Sequence, residues 1–197
     1  AAAPRPNRTV IIAAKLTGKK PGDNPHLWYD PATMPAVAKA LAATLSAADP
    51  AGKDGYAARL ATFLASLKPI DDKIAAIRTR YAGAPVTASE PVFGYMAGAL
   101  KLTMRNERFQ LAIMNDTEPS ARDVAAFEQD LKTRKVRVMF YNKQASNKIV
   151  LHLVELARAA KVPVVGVTET APPGLSFQDW MLGQLNDTDK ALAGPSS

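Results

Sequence analysis

The segment Asn24-Pro25-His26-Leu27-Trp28-Tyr29-Asp30-Pro31 carries one of only two histidines in 197 residues. A neutral imidazole is the commonest transition-metal ligand among side chains. Pro25 stiffens the approach to His26, Trp28 could wall a pocket, and Asp30-Pro31 starts the next helix. Two carboxylates join it. Glu90 follows a strand expected at Pro85–Ala88, and Glu169 follows one expected at Val162–Val167. Both therefore sit where an open α/β sheet presents its working groups. An imidazole and two carboxylates suit a first-row divalent metal; the oxygen-rich set favours manganese or iron, and zinc also accepts it. Taken singly, each residue has a plainer reading. His26 could be a turn or capping residue, Glu90 a partner of a positive helix end, and Glu169 a solvated loop acid.

The remaining polar residues offer less chemistry. His152 lies inside an expected helix between Leu151 and Leu153 and reads as a surface residue. Asp71, Asp72, Asp116 and Glu118 could chelate a cation, but they lack the ligand periodicity and central glycine of a calcium loop. There is no G-x-S-x-G elbow, no Walker loop and no G-x-G-x-x-G after a strand. Gly94 and Gly98 fall in a helical pattern, where close packing explains them better than phosphate binding. An enzyme is not expected.

These residues need elements to hold them. Thr9–Ala14 is an apolar run of strand length, followed by a turn-rich stretch to Asp23. Small and apolar residues recur at helical spacing from Pro31 to Ala48, and Asp49-Pro50 closes that helix. Another runs from about Gly55 to Leu67, where Lys68-Pro69 interrupts it; Ile70 to Tyr81 resumes the pattern, so Pro69 either kinks one long helix or starts a new one. From Pro85 the rhythm alternates. Strands are expected at Pro85–Ala88, Val136–Tyr141 and Val162–Val167, with a weaker extended segment over Met104–Ile113. Helices are expected over Phe93–Leu100, Ala121–Arg134 (capped by Ser120), Lys148–Ala160 and Phe177–Leu192. Such alternation predicts an α/β fold with a parallel sheet.

Composition sets the limits. Apolar residues make up 47%, enough for a real core, and charged residues 22%. The net charge of +7 is basic, but the lysines and arginines are scattered. The densest clusters, Arg78-Thr79-Arg80 and Lys132-Thr133-Arg134-Lys135, fall at helix ends, where cations are favourable anyway. No nucleic-acid partner is expected. There is no cysteine, hence no disulfide framework or cysteine-based zinc site. No stretch reaches the roughly 20 apolar residues of a membrane span. No signal peptide is recognisable. Ala1-Ala2-Ala3-Pro4-Arg5-Pro6 and Gly194-Pro195-Ser196-Ser197 read as processed or linker-like ends.

Three segments together resemble one family. N-P-H-L-W-Y-D-P is similar to the D-P-H-x-W-x-D-P signature of the zinc and manganese solute-binding proteins of ABC transporters, the ZnuA/TroA-like family. T-A-S-E-P-V-F-G-Y-M, Thr87 to Met96, resembles its third-ligand motif, with Glu90 where zinc members carry histidine and manganese-type members often carry glutamate. V-P-V-V-G-V-T-E-T, Val162 to Thr170, resembles the strand ending in the fourth, acidic ligand, here Glu169 in place of the more usual aspartate. The similarity runs over nearly the whole chain, with the motifs in the family's order.

The resemblance implies two α/β lobes joined by a long helix, with a divalent metal (zinc or manganese, iron also admissible) bound between them. His26, Glu90 and Glu169 are the implied ligands. It implies a periplasmic, exported receptor that hands its metal to an ABC permease. One departure stands out. Only about 25 residues precede the histidine motif, with no histidine among them, so most of the amino-terminal lobe is expected to be missing. The expected organisation is then a remnant of that lobe over 1–50, a connecting helix over 51–82 and a carboxyl-terminal α/β lobe over 83–197. The His26 segment is expected to have lost its packing partner, leaving a weaker, wetter or absent site and an exposed face that invites homo-oligomers. The competing expectation is a metal-independent structural or interaction module derived from one lobe.

Overall fold

Four short apolar runs become the strands of one sheet: β1 (Pro85–Ala88), β2 (Thr103–Arg105), β3 (Val138–Asn142) and β4 (Val164–Val167). The computed structural model describes residues 8–145 and 147–194. Of the expected processed ends, 1–6 and 194–197, all but Gly194 lie outside the described residues. All strand pairs are parallel, and the order is β2-β1-β3-β4. The helices are α1 (Ala13–Leu16), α2 (Thr33–Ala48), α3 (Lys53–Tyr81), α4 (Gly94–Ala99), α5 (Glu107–Met114), α6 (Ala121–Lys132), α7 (Lys148–Ala159) and α8 (Phe177–Ala193).

Side chains alternate across a strand, so the sheet feeds two cores. On one face Val138 and Phe140 of β3 join Val86, Ala88, Val165 and Val167 beneath α3, α4 and α8. On the other, Met139 meets Phe109, Phe127, Leu131 and Leu153 from α5, α6 and α7. The helix starts are set by side chains that accept otherwise orphaned backbone N–H groups. Ser120 accepts from Asp123 (3.1 Å), Asn147 from Val150 (2.9 Å) and Ser176 from Asp179 (3.1 Å).

Three expectations are corrected. Thr9–Ala14 is not a strand: residues 8–12 pair with no strand, Ala13–Leu16 is helical, and Val10 and Ile12 are exposed. A β-branched run needs a sheet edge to pair with, and this one meets none. The extended segment at Met104–Ile113 is confined to β2 at its start; α5 occupies the rest. Nor does Pro69 start a new helix; of the two expectations there, one long helix is what forms. α3 continues for 29 residues with Pro69 inside it. A mid-helix proline costs about 3 kcal/mol. Leu67, Ile70, Ile74 and Ile77 are all buried around it, and each such side chain contributes about 1.5–3 kcal/mol. Packing outweighs the proline. Lys73 and Arg80 of α3 also grip Asp189 of α8, at 2.8 and 2.7 Å.

The segment that carries His26 is packed against the sheet's carboxyl-terminal end. Tyr29, in a 3-10 turn over Leu27–Tyr29, is fully buried. Its ring sits edge-on between Phe93 (5.4 Å) and Trp180 (5.7 Å), and Phe93 stacks on Phe140 at 4.6 Å. Its hydroxyl donates to the Thr168 carbonyl at 2.8 Å. The expected loss of packing around His26 is therefore not what the structure shows; this aromatic cluster supplies the packing. Elsewhere a groove of about 340 Å³ between α2 and α3 is lined by apolar residues including Val37, Leu41, Leu45 and Phe63.

Tyr29→Phe keeps the ring and deletes the hydroxyl, leaving the Thr168 carbonyl without its donor. A loss of about 1–3 kcal/mol in urea unfolding is expected. Trypsin should then cut faster after Lys15 and Lys19. Unchanged stability and unchanged cutting would show that Tyr29 does not pin this segment.

Candidate metal centre

Strand register decides which residues meet. Ala88 of β1 is paired with Phe140 of β3, and Asn142 of β3 with Val167 of β4. Glu90 lies two residues beyond Ala88 and Glu169 two beyond Val167, so both acids flank the end of β3. There the Asn142 side chain donates from Nδ2 to Glu90 Oε2 (2.9 Å) and to Glu169 Oε1 (2.6 Å). Asn142 is 1% exposed and Glu90 9%. The backbone N–H of Asn142 donates to Ser89 Oγ at 3.1 Å, and that of Ser89 to the Phe140 carbonyl at 2.9 Å.

His26 enters from the amino-terminal segment and is 5% exposed. Asn24 holds it. The Asn24 Nδ2 donates to the Pro91 carbonyl at 2.6 Å, so Oδ1 is the free acceptor. That oxygen takes the His26 backbone N–H (3.1 Å) and faces His26 Nδ1 at 2.6 Å. Nδ1 must then carry the proton, which leaves the ring's lone pair on Nε2. Tyr95 donates to the Asn24 carbonyl at 2.8 Å. Gly94 has its role here: a Cβ would lie 3.1 Å from Asn24 Nδ2. Gly98 has open space at that position, so close packing does not explain it. Trp28 meets the His26 ring edge-on at 5.5 Å and walls a small cavity with Met34, Leu67 and Met181.

Charge and burial oppose each other at the site. Burial pulls the His26 imidazole below its usual range, while the charge of Glu169 pulls it back. Burial pushes the Glu90 carboxyl up; the Asn142 hydrogen bond opposes this, and the charges of Glu169 and Asp116 add to it. Glu90 also borders an open cavity of about 550 Å³ with Asp116 and Glu118.

The structure thus brings Glu90 and Glu169 together on one amide, with His26 within the electrostatic reach of Glu169. It does not close them into a coordination shell: among the described residues no three His, Asp or Glu side chains are grouped to hold one ion. The donor set nevertheless fits a divalent cation, with one neutral imidazole and two carboxylates that each keep an oxygen outside the Asn142 bridge. His152 is exposed and faces Glu128 of α6 at 3.3 Å. Asp72 pairs on the surface with Lys68. The residues that sequence reasoning does not single out are Asn142, Gln144 and Thr168. A polar residue ending the Val136–Tyr141 run is the available signal for Asn142.

A family model described as the periplasmic zinc-uptake complex component A, ZnuA, matches residues 2–191. The chain belongs to this family. The ZnuA family comprises metal-uptake receptors and is not a family of enzymes. Among curated relatives, the zinc-binding protein AdcA of Streptococcus pyogenes is 27% identical over 149 residues, covering 74% of this chain and 28% of AdcA. The high-affinity zinc uptake system protein ZnuA of Bacillus subtilis is 24% identical over 64% of this chain and 39% of its own length. The chain therefore spans well under half of these relatives. The periplasmic zinc-binding protein TroA of Treponema pallidum shares the fold with a TM-score of 0.73 at 17% identity, over 95% of this chain and 73% of TroA. Among the described residues no helix is long and apolar enough to cross a membrane.

Two titrations with opposite signs follow. The depressed His26 keeps its stabilising contribution above pH 6.5 and loses it as pH falls toward its folded value. The raised Glu90 does the reverse: it weakens the fold at pH 7, and that cost disappears as pH falls through its folded value toward 4.5. Glu90→Gln should therefore stabilise the metal-free chain at pH 7, by about 0.5–2 kcal/mol, and the gain should shrink toward pH 4.5. Urea unfolding at both pH values checks this; a destabilised variant at pH 7 contradicts it.

Proposed function

We propose that the chain is the metal-capturing part of a periplasmic receptor that binds zinc or manganese and passes it to an ABC permease, with His26, Glu90 and Glu169 as ligands. The convergence of Glu90 and Glu169 on the end of β3 carries the reading. Membership of the zinc-uptake family supports it, as do two named relatives: AdcA is a zinc-binding protein, and the manganese-complexed FpvC of Pseudomonas aeruginosa shares the fold with a TM-score of 0.65. The two carboxylates would balance the two charges of the cation, and the neutral His26 would add a nitrogen donor. Iron fits the same donors. Within this reading, 1–50 carries the His26 motif, 51–82 is the connecting helix and 83–197 the lobe that carries both acids.

The absence of a closed three-residue group among the described residues favours a second reading, a metal-independent module built on one lobe. Calorimetric titration with ZnCl₂ and MnCl₂ separates them. Under the first reading the chain binds, and Glu90→Ala, Glu169→Ala or His26→Ala each weakens binding by more than about 100-fold. That exceeds the 10–100-fold cost of losing an outer partner. No heat with either metal favours the second.

A further inference from the structure

We infer that Asn142 is the positioning residue for the two acidic ligands: its amide holds one oxygen of Glu90 and one of Glu169 and leaves the second oxygen of each for the cation. The inference rests on the proposed reading of those acids as ligands. The geometry is over-determined. The backbone N–H of Gln144 donates to Asn142 Oδ1 at 2.9 Å, so the NH₂ end of the amide must face the acids. It has two protons and two acceptors, at 2.9 and 2.6 Å. Gln144 also binds the loop that carries Glu169. Its Oε1 accepts from the backbone N–H groups of Glu169 (2.6 Å) and Thr170 (3.1 Å), and its Nε2 donates to Thr170 Oγ1 (2.7 Å). Asn142 and Gln144 form one bracket between the ends of β1 and β4.

The residue type matters. A buried lysine at this position would be a built-in counter-ion that competes with the cargo. An aspartate would add a third negative charge to a pair that already repel. A neutral double donor steadies both acids without altering the charge balance of the loaded site. That suits a residue that must hold ligands apart for capture and still allow release.

The test uses the full chain. In calorimetry with MnCl₂ and ZnCl₂, Asn142→Ala should bind 10–100-fold more weakly than the unmodified chain, the size expected for an outer partner. Unchanged affinity in the folded variant overturns the inference. A second measurement needs neither metal nor a destabilised variant at position 142. In the metal-free chain, the side-chain ¹H–¹⁵N signals of Asn142 should resist exchange with solvent and shift in both Glu90→Gln and Glu169→Gln. Signals that exchange freely, or that neither variant moves, overturn the bridge. If the unmodified chain binds neither metal, the proposed function fails, while the Asn142 signals still decide the bridge.

Discussion

Everything at the site depends on the register of three parallel strands. Because Ala88 sits opposite Phe140 and Asn142 opposite Val167, β3 and β4 end side by side and β1 ends two residues earlier, so that the residues just beyond β1 run alongside the end of β3. Glu90, Asn142 and Glu169 meet there. A slip of one residue in any strand would turn its side chains to the other face. It would also exchange the two cores, which are held apart by the alternation of Val138, Met139 and Phe140. The hydrophobic cost of that exchange is what fixes the polar geometry.

The second constraint is the attachment of the His26 segment. It rests on one aromatic cluster and a few hydrogen bonds, centred on Tyr29, Asn24 and Thr168. Trp180 of α8 donates to Thr168 Oγ1 at 3.0 Å while Tyr29 donates to its carbonyl, so one residue at the end of β4 ties the segment to the last helix. The cluster buries His26 in its neutral form and sets its tautomer through Asn24. The site carries a cost. Glu90 is a buried acid near a second acid, relieved by a single neutral amide, and such conflicts are typical of positions kept for binding rather than for stability.

Much of the carboxyl-terminal half was legible in the sequence. The alternation of apolar runs and helical spacing from Pro85 onward located three of the four strands, because a parallel strand covered on both faces reads as a continuous apolar run. Ser120 marked a helix start through its side chain. The failures are equally physical. Thr9–Ala14 has strand composition but no edge to pair with, which no local pattern reveals. Pro69 is a local breaker overruled by the packing of Ile70, Ile74 and Ile77. Thr103–Arg105 is too short for its period to be read.

For the site, the sequence by itself determined the candidate donors, His26, Glu90 and Glu169. Side-chain chemistry and placement after strands are local properties, and the three motifs in order carried the family. It did not determine how the donors are held. Asn142, Gln144, Thr168, Asn24 and Tyr29 make site contacts across 25 to 139 residues of chain, and an amide or a phenol has no signature until its partners are known. Only the tertiary structure decided that one buried amide gathers both acids, because that depends on where three strands end in space and not on anything beside Asn142 in the chain.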